Sequence, residues 1–226
     1  VDGQICSSPL EKLSIIVPTG FVVDELSRAV STNFQTSLDR LKAAGVQIRH
    51  MAIPALEVAA DMLRDLGSIV AAEAFHEHRN IMDGDGAVLM DERVRARIEI
   101  GRMMSAHDLV SLQRQRACGM KLIHDALDGA FLAMPTTPDT APVLSDFEGD
   151  DEAFKYHNLR ANRNTSIGSF YDLPGLAIPN GQDAIGLPTS FLLSAPSCAD
   201  IRLLRAGMAT ETIIRSDIKQ SGKDTG

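Results

Sequence analysis

Residues able to bind a small substrate lie in three short segments of the chain. Residues 93–101 (RVRARIEIG) place three arginines at alternate positions before a glycine. Residues 135–138 (PTTP) put two hydroxyl groups in a rigid turn after a short apolar strand, where α/β sheets bind ligands. Residues 163–168 (RNTSIG) carry an amide and hydroxyls at the end of a polar helix. From the residues alone, a structural role is the simpler interpretation, such as a charged helix face with an Arg95–Glu99 pair.

Two other segments resemble metal sites but lack the required ligands. Glu73 and His76 lie three residues apart on a helix, but a ferritin-like site needs that pair twice. A calcium loop counted from Asp83 needs a bidentate Glu at its twelfth position, which is Val94. We therefore expect neither a metal nor a cofactor.

The sequence also lacks a recognisable nucleophile motif. It contains no G-x-S-x-G, no phosphate-binding P-loop and no G-x-G-x-x-G. No glycine-rich neighbourhood or lysine surrounds Ser7 and Ser8. Cys118 lies in a helical Arg- and Gln-rich stretch, where we expect a buried or inert thiol.

Composition narrows the class of partner. The 226 residues are 44% hydrophobic with a net charge of −8, which argues against nucleic acid because such binding depends on Lys and Arg. No apolar run is long enough to span a membrane. The three cysteines form neither a disulfide framework nor a zinc spacing, so we expect a cytoplasmic protein.

The first fifty residues have the pattern of a β-α-β unit. Residues 13–17 form an apolar strand, and Asp24 is a good N-cap for a helix that ends before Gly45. A second strand follows at 46–53. Because a helix connects the strands, they should be parallel neighbours with the helix packed on their sheet.

The rest of the chain predicts further helices and strands in one α/β fold with a mixed, mainly parallel sheet. Residues 1–215 should form a single partial domain, followed by a polar, disordered tail at 216–226. The loop between the last two strands should expose Asn180 and Gln182. The predicted helices cover 55–81, 91–127 (as two helices), 153–167 and a final segment from 198 or 200 to 214, and the predicted strands cover 130–134, 176–179 and 189–193.

Several segments, in their order, resemble the C-terminal half of amidase signature enzymes. The family pattern ends roughly as N-T, G-L-P, P-G and G-L-P-x-G-x-x-L, which residues 163–168, 174–181 and 186–193 follow. Residues 13–20 resemble the strand after the family's catalytic segment, and 91–101 and 135–142 resemble its R-I-x-x-G and P-T-x-P-x-x-A-P elements. The Arg-Asn-Thr form is most similar to the allophanate hydrolase and small-amide branch.

The resemblance implies the C-terminal part of the amidase signature fold and hydrolysis of a small amide. Such enzymes use two serines and a lysine, and the family has a glycine- and serine-rich catalytic segment. That segment is not found here, so we expect no catalytic residue in this chain. The resemblance assigns substrate binding to Arg97, Thr136 and Asn164. Asn180-Gly181 departs from the family's usual small residue plus glycine, which weakens inference about the substrate from that loop.

Three hypotheses for function follow. In the first, the chain is the C-terminal part of a truncated or split amidase and contributes the sheet and the pocket wall. Its partners are then a small amide substrate and either a chain carrying the catalytic half or another copy of itself. In the second, it is a non-catalytic amidase-like remnant that acts as a binding or assembly subunit. In the third, it is an unrelated α/β ligand-binding domain.

Overall fold

The computed structural model describes residues 6–216, which form two compact units. The sheet unit contains the chain up to Ile53 and from Ile123 onward, and the helical unit contains Pro54–Leu122. The predicted single partial domain over 1–215 stays a prediction. Of the predicted disordered tail, residues 217–226 lie outside the described residues.

The described residues contain five strands and seven α-helices, and the four helices α2 to α5 follow one another between β2 and β3. The strands are β1 (Ser14–Thr19), β2 (Gln47–Ala52), β3 (Phe131–Pro135), β4 (Gly175–Gln182) and β5 (Pro188–Ser194). The helices are α1 (Arg28–Ala43), α2 (Pro54–Leu66), α3 (Ile69–Met82), α4 (Glu92–Met103), α5 (Ala106–Leu127), α6 (Asp151–Phe170) and α7 (Asp200–Ile214). Short 3₁₀ helices occupy Leu10–Lys12, Asp85–Leu89 and Leu144–Asp146.

The five strands form one mixed sheet in the order β2-β1-β3-β5-β4. β1 pairs in parallel with both β2 and β3, so that Ile15 lies opposite Ile48 on one side and Phe131 on the other. β5 is antiparallel to β3 and β4, so it runs opposite to the other four strands. The predicted mixed, mainly parallel α/β fold is confirmed.

Helix α1 packs on this sheet as the β-α-β pattern predicts. Its buried side chains Val30, Phe34, Leu38 and Leu41 recur at helical spacing. The ring of Phe34 stacks on that of Phe191 in β5, with centroids 5.2 Å apart. This contact places the apolar stripe of the helix against the sheet.

The predicted N-cap of this helix at Asp24 is wrong. The helix begins at Arg28, and the Ser27 hydroxyl accepts a hydrogen bond from the Val30 amide. Glu25 adopts a left-handed conformation with φ of 51°, which a right-handed helix starting at Asp24 could not contain. Residues 20–27 therefore form a loop after β1.

Alternate residues of the central strands build the core of the sheet unit. Ile15 and Val17 of β1, with Phe191 and Leu193 of β5, join side chains of α1 and α7 in one apolar cluster. Side chains on the other face of the sheet are also fully buried, as at Ile16 and Leu132. The central strands are therefore buried on both faces, which is typical of parallel sheets.

The helical unit is built around the approach of α3 and α4. A Cβ atom added at Gly101 of α4 would lie 1.9 Å from the carbonyl oxygen of Ala71 in α3, so only glycine fits there. Gly67, with φ of 84°, separates α2 from α3, whose N-cap is Ser68. Asp91 caps α4 by accepting hydrogen bonds from the amides of Arg93 and Val94. None of the helices within residues 6–216 is both long enough and apolar enough to cross a membrane.

Candidate substrate-binding end of the sheet

One end of the sheet carries most of the polar residues that the sequence singled out. β1, β3 and β4 end there, and the antiparallel β5 begins there. Three loops meet this end: residues 20–27 after β1, residues 136–142 after β3, and residues 183–187 between β4 and β5. We call it the carboxyl end of the sheet, and ligands of α/β proteins commonly bind at such an end.

Thr136 lies at this end, directly after β3. Its amide donates to the carbonyl of Ser190 at 3.2 Å, which continues the pairing of β3 with β5. The Ser190 hydroxyl donates to the Thr136 hydroxyl at 2.7 Å, and both residues are half-buried. The two hydroxyls thus form a pair that keeps some access to solvent.

Sequence reasoning missed Ser190. A signal was present, because the family pattern has glycine at this position of G-L-P-x-G and the chain has serine. The hydroxyl has no counterpart in a glycine, so the pair with Thr136 is a departure of this chain from that pattern.

Asn164 is fully buried on α6, and its amide group joins two loops. Its Nδ2 atom donates to the carbonyl oxygens of Val22 at 2.9 Å and Pro135 at 2.7 Å. Since Pro135 precedes Thr136, the two predicted site residues are neighbours. The role of Asn164 in substrate binding stays a prediction. In the structure, its side-chain amide binds two backbone carbonyl groups.

Arg97 lies on the exposed surface of α4 in the helical unit. Its Nε donates to the carbonyl of Arg93 at 3.4 Å, and it forms no ion pair with any residue between 6 and 216. A guanidinium without a carboxylate remains available to an anionic or carbonyl group. Thr136 and Asn164 belong to the sheet unit. A site that they share with Arg97 stays a prediction.

Other arginines of α4 are engaged within the helical unit. Arg95 lies 4.0 Å from Glu92, so the suggested Arg95–Glu99 pair is wrong. Glu99 instead accepts from Arg102 at 2.9 Å, and Arg102 also binds Asp83 at 2.7 Å. The hydrogen bond from Arg102 lowers the pKa of the Asp83 carboxyl, although partial burial acts in the opposite direction.

Two arginines of α6 also reach the carboxyl end of the sheet, and sequence reasoning missed the first of them, Arg160. The Arg160 guanidinium binds the Asp139 carboxylate with two nitrogens, and the pKa of Arg160 is raised chiefly by that hydrogen bond. The Arg163 Nη2 atom donates to the carbonyl of Asp24 at 3.0 Å. Burial, and then the charge of Arg160, lower the pKa of Arg163.

The predicted exposure of Asn180 is wrong. Asn180 lies within β4 and is 7% exposed, because α1 covers that part of the strand. Its Nδ2 donates to the Ser37 hydroxyl at 3.2 Å, and its Oδ1 accepts from the Thr189 hydroxyl at 2.8 Å. Gln182, at the end of β4, is exposed as predicted.

A surface cavity of about 520 Å³ lies away from the predicted site residues. Its lining residues precede β4 or follow β5, so it lies at the opposite end of the sheet, and they include Asp172, Ser197 and Cys198. Cys118 is exposed, so of the two expectations for its thiol burial is excluded, and an inert thiol stays a prediction. Across residues 6–216, no three His, Cys, Asp or Glu side chains are grouped so that they could hold a metal ion.

Comparison with known proteins gives relatives that share most of this chain. The 2-amino-5-chloromuconic acid deaminase of Comamonas testosteroni is 27% identical over 91% of this chain and 44% of its own length. A glutamyl-tRNA(Gln) amidotransferase subunit of Paenarthrobacter aurescens is 30% identical over 82% of this chain and 40% of its own length. The chain thus spans less than half of either relative.

Solved structures share the fold. Allophanate hydrolase of Kluyveromyces lactis superposes with a TM-score of 0.77 at 21% identity, over 93% of this chain and 33% of that protein. The corresponding glutamyl-tRNA(Gln) amidotransferase subunit of Thermotoga maritima gives 0.68 at 22% identity, over 92% and 44%. The Amidase family profile matches residues 6–204. The chain therefore belongs to the amidase family.

Proposed function

We propose that the chain forms the C-terminal part of an amidase that hydrolyses a carbon–nitrogen bond in a small substrate. The observation that supports this most is the family match over residues 6–204 in a chain that covers 44% of the Comamonas deaminase. The family's serine and lysine machinery would lie on the part of an amidase that this chain does not span. The chain would supply part of the sheet and one wall of the substrate pocket.

Thr136 of the sheet unit and Arg97 of the helical unit are each proposed to contact the substrate. Thr136 follows β3 directly, and its half-buried hydroxyl accepts a hydrogen bond from the hydroxyl of Ser190. Arg97 carries an exposed guanidinium, which suits a carboxylate or a polarised carbonyl. Asn164 is the third proposed site residue. It would act by holding the backbone at Val22 and Pro135.

We infer the class of substrate from the names of the relatives and from the exposed guanidinium of Arg97. The named relatives are a deaminase of 2-amino-5-chloromuconic acid and one component of an amidotransferase, and the fold is shared with an allophanate hydrolase. We therefore place the substrate among small amides or enamines that carry a carboxylate. The exposed thiols of Cys118 and Cys198 are compatible with a reducing, cytosolic setting.

The proposed partner is a polypeptide segment that carries the catalytic half. Large apolar side chains are exposed on the helical unit, including Leu89 at 87% and Met103 at 78%. β2 is an edge strand whose residues are mostly exposed, so its outer hydrogen-bonding groups are open to pairing. Without the partner, we expect the chain to self-associate, and sedimentation of a stable monomer at high concentration would contradict this.

An activity assay on paired halves tests the assignment of the pocket wall. The chain is co-expressed with the N-terminal half of a related amidase, and ammonia release is measured from allophanate, a simple aliphatic amide and 2-amino-5-chloromuconic acid. We expect Arg97→Ala and Thr136→Val each to lower kcat/KM by about tenfold or more, the effect of losing one hydrogen bond to substrate. Arg95→Ala, on the same helix, is the matched control. Equal activity of Arg97→Ala and Arg95→Ala would refute the role of Arg97.

The alternative function is a non-catalytic binding or assembly subunit. The observation that favours it is the closed network at Asn180, Thr189 and Ser37, which uses polar groups of β4 and β5 for internal contacts. A chain that binds the N-terminal half but leaves its amide turnover unchanged would support this alternative.

A further inference from the structure

Three side chains on one face of α6 hold the loop after β1. Arg160 donates to the carbonyl of Glu25, Arg163 to that of Asp24, and Asn164 to that of Val22. These donors lie at positions i, i+3 and i+4, so they project from the same side of the helix. The loop is therefore fixed at three of its carbonyl groups by a single helix.

The same helix also holds the turn after β3. Asn164 donates to the carbonyl of Pro135, and the Arg160 guanidinium binds both oxygens of Asp139. The two loops are joined directly as well, because the Ser27 amide donates to the carbonyl of Pro138 at 2.9 Å. We call Arg160, Asn164 and Asp139 the α6 clamp.

The clamp maintains a backbone conformation that the loop would not favour by itself. Glu25 is a non-glycine residue at φ of 51°, a region that such residues rarely adopt. Its carbonyl accepts from Arg160, and its carboxylate lies 3.7 Å from the same guanidinium. The contacts from Arg160 can therefore hold the unfavourable conformation.

Arg160 differs from an ordinary surface ion pair in exposure and in geometry. Its side chain is 20% exposed, compared with 67% for Arg64, which pairs with Asp61 and Asp65 on the surface of the helical unit. A lysine could not reproduce this geometry, because its ammonium donates from a single nitrogen, whereas Arg160 binds the two oxygens of Asp139 from two nitrogens.

We propose that the α6 clamp positions the loops after β1 and β3, and that Arg160 and Asn164 are positioning residues for the pocket at the carboxyl end of the sheet. The catalytic part of this inference rests on the proposed amidase function. Thr136 follows Pro135 immediately, so displacement of the Pro135 carbonyl would move the hydroxyl proposed to contact substrate. Small displacements of positioning groups reduce the rate of a reaction more than they reduce binding.

Hydrogen exchange tests the structural part without any substrate. Amide exchange in residues 20–27 and 136–140 is compared between the 226-residue chain, Arg160→Ala and Arg160→Lys, with Arg64→Ala as control. We expect both Arg160 variants to exchange about tenfold faster in these loops, with unchanged exchange in the strand core of β3. Unchanged exchange in the two loops, or an equal increase everywhere, overturns the clamp. If Arg160→Ala does not fold, Asp139→Asn, which keeps the size of the side chain, replaces it.

Kinetics tests the catalytic part in the paired halves described above. We expect Arg160→Lys to lower kcat about tenfold while KM changes little, because the pocket is misplaced rather than removed. Arg64→Lys should retain the kcat of the parent. An Arg160→Lys enzyme with the parent's kcat overturns the positioning role. Because exchange needs no turnover, a failure of the amidase proposal and a failure of the clamp give different results.

Discussion

The sheet unit and the helical unit achieve stability in different ways. Counted over residues 6–216, the sheet unit buries thirty apolar residues and exposes eight large ones, whereas the helical unit buries six and exposes nine. The loops of the sheet unit are held by buried amides and an arginine fork. The helical unit relies on exposed ion pairs such as Arg64–Asp61, which contribute little to stability.

This difference indicates that the two units have different structural roles. A well-buried sheet with cross-linked loops can hold a pocket wall in place. A helical unit with a thin core and exposed apolar residues should open more readily, and its surface suits contact with another polypeptide. Substitutions should therefore have large effects in the sheet unit and smaller effects in the helical unit, except where helices touch.

The largest effect is expected in the core of the sheet unit. Phe191 is fully buried and stacks on Phe34, so Phe191→Ala should lower the free energy of unfolding by about 3–5 kcal/mol. Leu89→Ala, at a residue that is 87% exposed in the helical unit, should change it by less than about 0.5 kcal/mol. Urea denaturation measures both values. Similar losses in the two variants would contradict the contrast between the units.

A smaller loss is expected at Asn164. Asn164→Ala removes the donor from two carbonyls at the carboxyl end of the sheet, and each group left without a partner costs about 1–3 kcal/mol. Asn162→Ala, two residues earlier at an exposed position of α6, is the control and should be nearly neutral. The same denaturation experiment measures both variants, and a neutral Asn164→Ala would show that water replaces the amide.

Within the helical unit, Gly101 is the exception where a substitution should matter. Gly101→Ala places a Cβ against the Ala71 carbonyl, so α3 and α4 must separate, at a cost of about 1–3 kcal/mol. Gly168→Ala in α6 meets no atom within 4 Å, and it should stabilise by about 0.5–1 kcal/mol through helix propensity. Thermal melts of the two variants should shift in opposite directions.

The smallest effect concerns pH and the loop between β4 and β5. Burial raises the pKa of Asp183, but hydrogen bonds from the amide of Leu187 and the hydroxyl of Thr140 lower it. Together these hydrogen bonds outweigh burial, so the pKa is lowered overall. Because the pKa of Asp183 is lowered in the folded protein, the ionised carboxyl stabilises the fold fully at pH values above 3.8, its pKa in the unfolded chain. That contribution is lost as the pH falls through the folded pKa. Asp183→Asn should therefore flatten the dependence of stability on pH below about 4, and an unchanged profile would contradict this.

The course of the chain could be predicted where the pattern is local. Apolar runs located all five strands, and the helical region predicted to begin at residue 91 begins at Glu92. The start of α1 could not be predicted, because the loop before it is bound at Glu25 by Arg160, which lies 135 residues away in the sequence. Asn180 was expected to be exposed because sequence does not show that α1 covers β4.

The candidate site was predicted in part. Thr136 and Asn164 were found through a family pattern, and they are neighbours at the carboxyl end of the sheet. Ser190 and Arg160 were missed because their roles arise from tertiary pairing with Thr136 and Asp139. Hydrogen bonds between distant segments leave no periodic signal in a sequence.

The most direct measurement of the central claim is amide hydrolysis by the purified 226-residue chain, alone and together with the N-terminal half of a related amidase. We expect no turnover from the chain alone. With both halves present, we expect turnover that depends on a serine of the N-terminal half and falls in the Arg97→Ala chain. Hydrolysis by the chain alone, abolished by substitution of one of its own serines, would contradict the division of the site between two halves.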